Sequence, residues 1–147
     1  MQYKILSPLA QAPTRATDGS AGLDLCAATS QPTLISAGER RLMPTGISIA
    51  LEKNTVGLVF ARSGLAVKHG VSLSNGVGVI DCDYRGEVKV GLVNLSKEDY
   101  VIEPGERIAQ LVVVPILMPT PVLVDELDDT VRGDGGFGST GRNVNGR

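Results

Sequence analysis

The sequence predicts an all-β protein built as a sandwich or jelly roll, and three observations support this prediction. Short apolar runs with a period of two recur along the chain and are separated by Gly, Pro, Asn and Asp. Glycine and proline account for 18 and 8 of the 147 residues, above the average usage of roughly 7% and 5%. A single short fragment has helical spacing. The length fits one domain of ordinary size.

The spacing of apolar residues locates the principal strands. Runs 47–51 and 88–92 alternate apolar residues with polar or small ones, which is the pattern of a strand with one buried face. Runs 56–60 and 108–114 are apolar at almost every position and therefore predict strands buried on both faces. The segment 75–88 is rich in turn residues and predicts a hairpin.

The helical fragment extends from Ser63 to Gly70, about two turns. Ser63 suits the N-cap position, and Gly70 suits the residue that ends the helix. Because free N–H groups and the helix dipole favour an anion at such a start, Arg62 and Ser63 are candidates for holding a phosphate. A capping serine beside a surface arginine is the simpler interpretation.

The composition changes toward the C-terminal end. Residues 125–129 are mostly acidic, and residues 132–147 contain almost nothing apolar except Phe137. A segment of this kind cannot form a core by itself. We therefore predict a core domain of residues 1–128 and a flexible C-terminal arm of residues 129–147.

The arm carries groups suited to a phosphate and a base. Its glycines let backbone N–H groups approach phosphate oxygens, and Arg132 supplies a charged fork. Ser139 and Thr140 add hydroxyl donors, and Phe137 offers a flat face on which a base can stack. A flexible tail without a ligand is the alternative, and composition alone favours it.

Charge and cysteine content exclude several classes of protein. The 14 Lys and Arg against 16 Asp and Glu give a formal net charge of -2, which does not suit a protein that coats a nucleic acid. The two cysteines form no disulfide framework or metal-ligand spacing. The N-terminus lacks signal-peptide features, and the apolar run 111–118 is far shorter than the roughly 20 residues a membrane span needs. We expect a cytoplasmic protein without membrane or direct nucleic-acid partners.

Aspartates at two further places are candidates for chemistry. Asp81 lies in the predicted hairpin near Tyr84, so a carboxylate and an aromatic ring can face one cavity, although an Asp in a loop more often forms an Asx-turn. Asp24 stands within an apolar strand, where a buried carboxylate is costly unless it is paired or hydrogen-bonded. We expect Asp24 to be structural or to lie close to a metal-phosphate site. His69, the single histidine, is given a structural role.

Taken in order, these segments resemble the five motifs of the trimeric dUTP pyrophosphatases (dUTPases), and they span residues 21–141. The motif positions are residues 21–25, 62–66, 78–86, 105–111 and 132–141. The resemblance implies a jelly-roll-like β-sandwich with one short helix, assembled as a homotrimer with an exchanged C-terminal arm. It also implies Mg²⁺-assisted hydrolysis of dUTP to dUMP and pyrophosphate by attack of water on the α-phosphorus. That reaction keeps uracil out of DNA and supplies dUMP for dTTP synthesis.

The resemblance also implies roles for individual residues. Asp81 would be the general base, a task for which a carboxylate ionised at neutral pH is suited. Mg²⁺ would be held mainly by the phosphates and water, with no direct protein ligand and with Asp24 at most nearby through water. The residues implied for substrate binding are Arg62, Ser63, Gly64 and Gln110 at the phosphates, Asn75, Gly78, Val79, Ile80 and Lys89 at uracil, Tyr84 at the deoxyribose, and Arg132, Phe137, Ser139 and Thr140 in the arm.

Two alternatives to a dUTP hydrolase stay open. A dCTP deaminase-type relative on the same fold would need an acid/base residue able to act at C4 of cytosine. A non-catalytic nucleotide-sensing trimer would keep the binding residues but would have no use for a general base.

Overall fold

The computed structural model describes residues 1–136 and confirms the all-β class with one short helix. Every strand pairing within this part of the chain is antiparallel. The elements are β1 (Gln2–Ile5), β2 (Leu23–Cys26), β3 (Thr33–Ile35), β4 (Arg40–Ala50), β5 (Thr55–Ala61), α1 (Ser63–His69), β6 (Val71–Leu73), β7 (Gly78–Ile80), β8 (Glu87–Asn94), β9 (Tyr100–Ile102) and β10 (Arg107–Pro115).

Two four-stranded sheets enclose one apolar core. The first has the strand order β1-β4-β8-β6 and the second has the order β2-β10-β5-β7, while β3 and β9 form a separate pair. Both four-stranded sheets contribute side chains to a single cluster of buried residues. In runs 47–51 and 88–92 the alternate apolar residues are buried, as predicted, because one face of each strand looks toward the opposite sheet.

The prediction of burial on both faces is wrong for β10 in a single chain. Ile108, Ala109 and Leu111 are fully buried, but Val113 is 36% exposed and its neighbours are half-buried. In β5, Val56 and Val59 are buried and the remaining large side chains are half-buried. Within one chain the opposite sheet covers only the inner face of these strands, so their outer face stays open.

The N-cap of α1 lies one residue earlier than predicted. Arg62 occupies the N-cap position with an extended backbone, φ -88° and ψ 131°, and without a side-chain capping hydrogen bond, so the prediction of Ser63 as N-cap is wrong. Gly70 ends the helix as predicted. Its φ of 68° is in the left-handed region, which glycine adopts without steric cost.

The segment 75–88 is not the predicted hairpin. β7 pairs with β5, whereas β8 pairs with β4 and β6, so the two strands belong to different sheets. The chain turns near Gly76, whose φ is 73°, and residues 81–86 then carry it from one sheet to the other. Turn residues thus mark where the chain bends, while long-range pairing decides which strands become neighbours.

Tyr100 joins the helix to the turn before β10. Its ring lies 4.9 Å from that of His69, and its hydroxyl donates a hydrogen bond of 2.8 Å to Glu106 Oε1. Glu106 Oε2 in turn accepts the Glu103 N–H at 2.9 Å. Burial of the ring, followed by the hydrogen bond and the negative charge of Glu106, raises the pKa of Tyr100 from its ordinary value of 10.0 to about 12.

This pKa shift predicts an alkaline loss of stability that depends on Tyr100. The unfolded chain releases the phenolic proton near pH 10, while the folded state retains it until about pH 12. The contribution of the neutral phenol is therefore complete below pH 10 and is lost as the pH rises toward 12. Denaturant titrations at several pH values measure this effect. Across this pH window we expect the free energy of unfolding to decrease less for Tyr100→Phe than for the unsubstituted chain. Equal losses would remove Tyr100 as a cause.

Beyond β10 the chain lies on the surface. The strand ends at Pro115, and residues 117–134 are exposed along their whole length. Large apolar side chains are among them, with Leu117 at 94% and Leu123 at 98% exposure. The division into a core of residues 1–128 and an arm of residues 129–147 stays a prediction. No helix among residues 1–136 is long and apolar enough to cross a membrane.

Candidate active site

A cavity of about 440 Å³ opens where β7 and β8 separate into their two sheets. Its walls come from β4 to β8 and from the loop that joins β7 to β8. Seven residues predicted to bind or act on a substrate line it together: Asn75, Gly78, Val79, Ile80, Asp81, Tyr84 and Lys89.

The edges of two strands, β7 and β8, face this cavity. Within residues 1–136, some backbone groups on these edges have no partner strand. β7 is the outer strand of its sheet and pairs only with β5. On β8, pairing with β6 stops at Leu92. The Val88 carbonyl accepts a hydrogen bond from Thr45 Oγ1 on the β4 side, so the N–H and C=O of Lys89 point the other way, because successive residues of a strand alternate. The cavity thus offers backbone donors and acceptors on both sides.

Asp81 and Tyr84 lie at the mouth of the cavity in the loop 81–86. The Asp81 carboxylate is exposed, and no hydrogen bond or ion pair engages it among residues 1–136. The Tyr84 hydroxyl donates to the Glu87 carbonyl at 3.1 Å, while Arg85 Nη1 donates to the carbonyls of Cys82 and Tyr84 at 2.8 Å each. The first bond holds the tyrosine ring, the other two hold the backbone of the loop, and none of them engages the Asp81 carboxylate.

Glu87 is a cavity residue that the sequence analysis missed. Its Oε1 accepts the Gly46 N–H at 2.9 Å, and its Oε2 lies 3.5 Å from Lys89 Nζ. Glu87 lines the cavity together with the four residues that follow it on β8, so this whole stretch of the strand borders the cavity. Its position at the start of the strand that carries Lys89 is the signal that could have identified it.

A second cavity, of about 190 Å³, brings together the candidates for phosphate binding. Its walls come from the segment before β2, β2 itself, the start of α1 and β10. The predicted residues that line it are Asp24, Arg62, Ser63, Gly64 and Gln110. The cavity therefore combines three kinds of hydrogen-bond donor: a cationic side chain, the first residues of a helix and a side-chain amide. Such a donor set is suited to phosphate oxygens.

Asp24 holds two arginines at the edge of this cavity. Arg62 Nε lies 3.1 Å from Asp24 Oδ1, and Arg107 Nη1 lies 3.1 Å from Oδ2. The carboxylate is only 14% exposed, so the expectation that it needs partners is confirmed. Arg107 was not among the predicted site residues, although it stands three residues before Gln110.

The Gln110 amide is fixed from two directions. Its Nε2 donates to the Ala61 carbonyl at 3.1 Å, on the neighbouring strand β5. At Gly22 a Cβ atom would come within 2.7 Å of Gln110 Oε1. Glycine at this position therefore leaves the space that the glutamine side chain occupies, and the amide faces the cavity.

Cys26, near the same cavity, is unsuited to act as a nucleophile. Burial raises the pKa of its thiol, and the negative charge of Asp24 raises it further against the opposing effects of Arg107 and Arg62. The thiol is therefore protonated at neutral pH, and nucleophilic attack requires the thiolate.

The two cavities share no lining residue. Arg132 lies in neither of them; its Nε donates to the Gly135 carbonyl at 2.8 Å in an exposed turn. Phe137, Ser139 and Thr140 lie outside the described residues. No group of three or more His, Cys, Asp or Glu suited to a metal ion occurs within residues 1–136.

Comparisons with known proteins agree on one family. Residues 9–141 match the family model described as dUTPase. The deoxyuridine 5'-triphosphate nucleotidohydrolase of Rickettsia felis is 54% identical over 129 residues, which cover 88% of this chain and 87% of the relative. The enzyme of the same name from Psychrobacter cryohalolentis is 47% identical, with 97% of each chain covered.

Solved structures show the same similarity. A dUTPase mutant of Staphylococcus bacteriophage 80alpha, solved with dUpNHpp, has a TM-score of 0.88 at 29% identity, covering 96% of this chain and 98% of the other. A mutant dUTPase of phage phi11 of S. aureus has a TM-score of 0.79 at 25% identity, covering 87% and 98%. Its structure concerns the coordination of a structural Mg(II) ion.

Proposed function

Because the chain belongs to the dUTPase family and is a dUTP diphosphatase, we propose that it hydrolyses dUTP by attack of a water on the α-phosphorus, with Asp81 as the general base. The observation that carries this proposal is the first cavity, which joins the free Asp81 carboxylate to an aromatic ring and two open backbone edges. A carboxylate without a competing partner can orient a water and take its proton. The products are dUMP and pyrophosphate.

Uracil recognition uses the backbone of β7 and β8. The imide edge of uracil presents a carbonyl, an N–H and a second carbonyl. The two carbonyls can accept hydrogen bonds from backbone N–H groups of an open strand edge, and the N–H can donate to a backbone carbonyl. Residues 78–80 supply one edge and Lys89 the other, with the Asn75 side chain at the end of the cavity. We propose that the strand edges lie too close to the C5 position of the bound base to admit the 5-methyl group of thymine, which gives selection against dTTP.

Tyr84 provides selection for the deoxyribose. Its ring lines the cavity and its hydroxyl is held by the Glu87 carbonyl at 3.1 Å, so the ring has a fixed position. Gly86 allows this placement, because a Cβ there would overlap the Tyr84 hydroxyl. Packed against the sugar, the ring excludes a 2′-hydroxyl and therefore disfavours UTP.

The phosphates bind in the second cavity, at Arg62, Ser63, Gly64 and Gln110. The two cavities share no lining residue, and we infer that the first cavity of one copy of the chain and the second cavity of another copy together form one site. We propose a homotrimer with composite sites, in which the open face of β10 and the exposed segment 117–131 meet neighbouring copies. Arg132 then reaches the γ-phosphate, Phe137 stacks on uracil, and Ser139 and Thr140 bind phosphate oxygens.

Mg²⁺ is the proposed cofactor, carried by the triphosphate and water. The donor set fits this arrangement, because both oxygens of Asp24 are engaged by arginines and the carboxylate can reach the ion only through water. When bound, the ion neutralises charge on the phosphate oxygens. Arg62 and the backbone N–H groups of Ser63 and Gly64 add to that neutralisation and fix the phosphate chain.

In the cell this reaction keeps uracil out of DNA and supplies dUMP for dTTP synthesis. We place it in the cytoplasm, where the nucleotide pool is. Membership of the dUTPase family supports these proposed roles.

Release of pyrophosphate from dUTP, dTTP, dCTP and UTP, compared side by side with Mg²⁺, tests the proposal. We expect strong preference for dUTP, which would support the open strand edges and Tyr84 as selectivity filters. Ammonia release from dCTP would favour the deaminase alternative. Binding of dUTP without turnover would favour the sensor.

A further inference from the structure

Arg62 is held by an acceptor set that leaves part of its guanidinium free. Its Nε pairs with Asp24 Oδ1 at 3.1 Å, and its Nη1 donates to the Arg107 carbonyl at 3.2 Å. Among residues 1–136 neither contact uses Nη2, which is therefore left for a ligand in the second cavity. Arginine binds phosphate best when such a fork is fixed in advance.

Arg107 completes this arrangement from the other side of Asp24. Its Nη1 donates a hydrogen bond of 3.1 Å to Asp24 Oδ2. The Arg107 side chain is 51% exposed and does not line the second cavity. The contact occupies the carboxylate oxygen that would otherwise accept a second N–H from Arg62. Arg107 therefore acts on the cavity only through Asp24 and Arg62.

A bulge in β10 puts Arg107 on the side of the sheet where Asp24 lies. The pairing of β10 with β2 shifts register between Arg107 and Ala109, and the two successive residues Ile108 and Ala109 are both buried. In a regular strand Arg107 would share the inward face of Ala109 and Leu111, because residues two apart lie on one face. The extra residue at the bulge reverses that direction for Arg107.

We propose that Arg107 is a positioning residue for triphosphate binding, acting through Asp24 to hold the Arg62 guanidinium open toward the phosphates. This rests on the proposed role of Arg62 as a phosphate ligand.

Replacing Arg107 by glutamine is expected to turn Arg62 inward, because Asp24 then has a free oxygen for its second N–H. We expect kcat/KM for dUTP and affinity for dUpNHpp to fall on the order of 10- to 100-fold, as for small misplacements at a site. Affinity for deoxyuridine, which lacks phosphates, should stay within about twofold. Arg107→Lys, which keeps the charge and reaches one oxygen, should recover part of the loss.

A double-mutant cycle on dUpNHpp affinity separates action through Asp24 from direct contact. In an Asp24→Asn background, Arg107→Gln should have almost no further effect, since the link it serves has already been removed. The same loss in both backgrounds would overturn the proposal, because Arg107 would then act on the ligand independently. Equal losses of deoxyuridine and dUpNHpp affinity would also overturn it, by indicating a general structural role.

Two controls keep the outcomes distinct. Arg41, similarly exposed at 53% and near a single carboxylate, Glu39, at 3.7 Å, should tolerate Arg41→Gln without change. If Arg107→Gln fails to fold, Arg107→Met carries the test, because methionine keeps an unbranched side chain but cannot donate to Asp24 Oδ2. An affinity for dUpNHpp equal to that of the unsubstituted chain in this folded variant would overturn the proposal. Absence of dUTP turnover in the unsubstituted chain would refute the proposed function. The double-mutant cycle on dUpNHpp affinity would still test whether Arg107 acts through Asp24.

Discussion

Replacement of Asp81 by asparagine is expected to lower kcat for dUTP hydrolysis by about 10²–10⁴-fold or more while leaving dUTP affinity almost unchanged. Asparagine has nearly the same size and fits the exposed loop position, so the cavity should keep its shape. It cannot accept a proton at neutral pH, and the attacking water loses both its base and its orientation. Single-turnover rates together with equilibrium binding of dUTP measure the two effects separately.

A matched control lies two residues further along the same loop. Asp83 is exposed like Asp81 but does not line the cavity, so Asp83→Asn should keep kcat within about threefold. A rate near that of the unsubstituted chain in Asp81→Asn would remove Asp81 from the mechanism. A parallel loss in both variants would instead indicate that the loop charge, and not a base, matters.

Removal of residues 132–147 is expected to leave a folded assembly and to reduce kcat/KM by about 10³-fold or more, the range associated with an arginine that stabilises phosphoryl charge. The core of the protein lies in β2 to β10, and residues 117–134 bury none of it, so thermal stability should change little. The loss comes from the proposed contacts of Arg132 with the γ-phosphate and of Phe137 with uracil. Steady-state kinetics and a thermal melt give the two readouts.

A shorter truncation provides the comparison. Removal of residues 142–147 leaves all proposed ligands in place, so its kcat/KM should match that of the full chain. If the longer truncation unfolds or dissociates, the arm has a structural role. If it stays folded with unchanged kcat/KM, the arm contributes no contacts to the reaction.

Local patterns in the sequence predicted a large part of the fold correctly. The period-two runs 47–51 and 88–92 predicted which face of β4 and β8 is buried, because alternation along a strand is a local property of the backbone. Gly70 predicted the end of α1 for a similar reason, since the left-handed conformation there suits glycine. The order of five motifs predicted the family, and the family model confirms it.

The errors arose where distant parts of the chain decide the outcome. Segment 75–88 has the turn residues of a hairpin, yet β7 pairs with β5 and β8 with β4 and β6. Ser63 resembles an N-cap, but the backbone of Arg62 takes that position. The apolar run in β10 indicated burial without saying that one of its faces is open in a single chain.

The sequence by itself determined the all-β class, the faces of the main strands and the residue types available for chemistry, because these depend on spacing and composition. Tertiary structure alone decided that β7 and β8 separate into two sheets, which opens the cavity beside Asp81. It also decided that a bulge brings Arg107 to Asp24, although 83 residues separate them along the chain. Strand partners and register depend on the summed packing of the whole core, which no local pattern encodes.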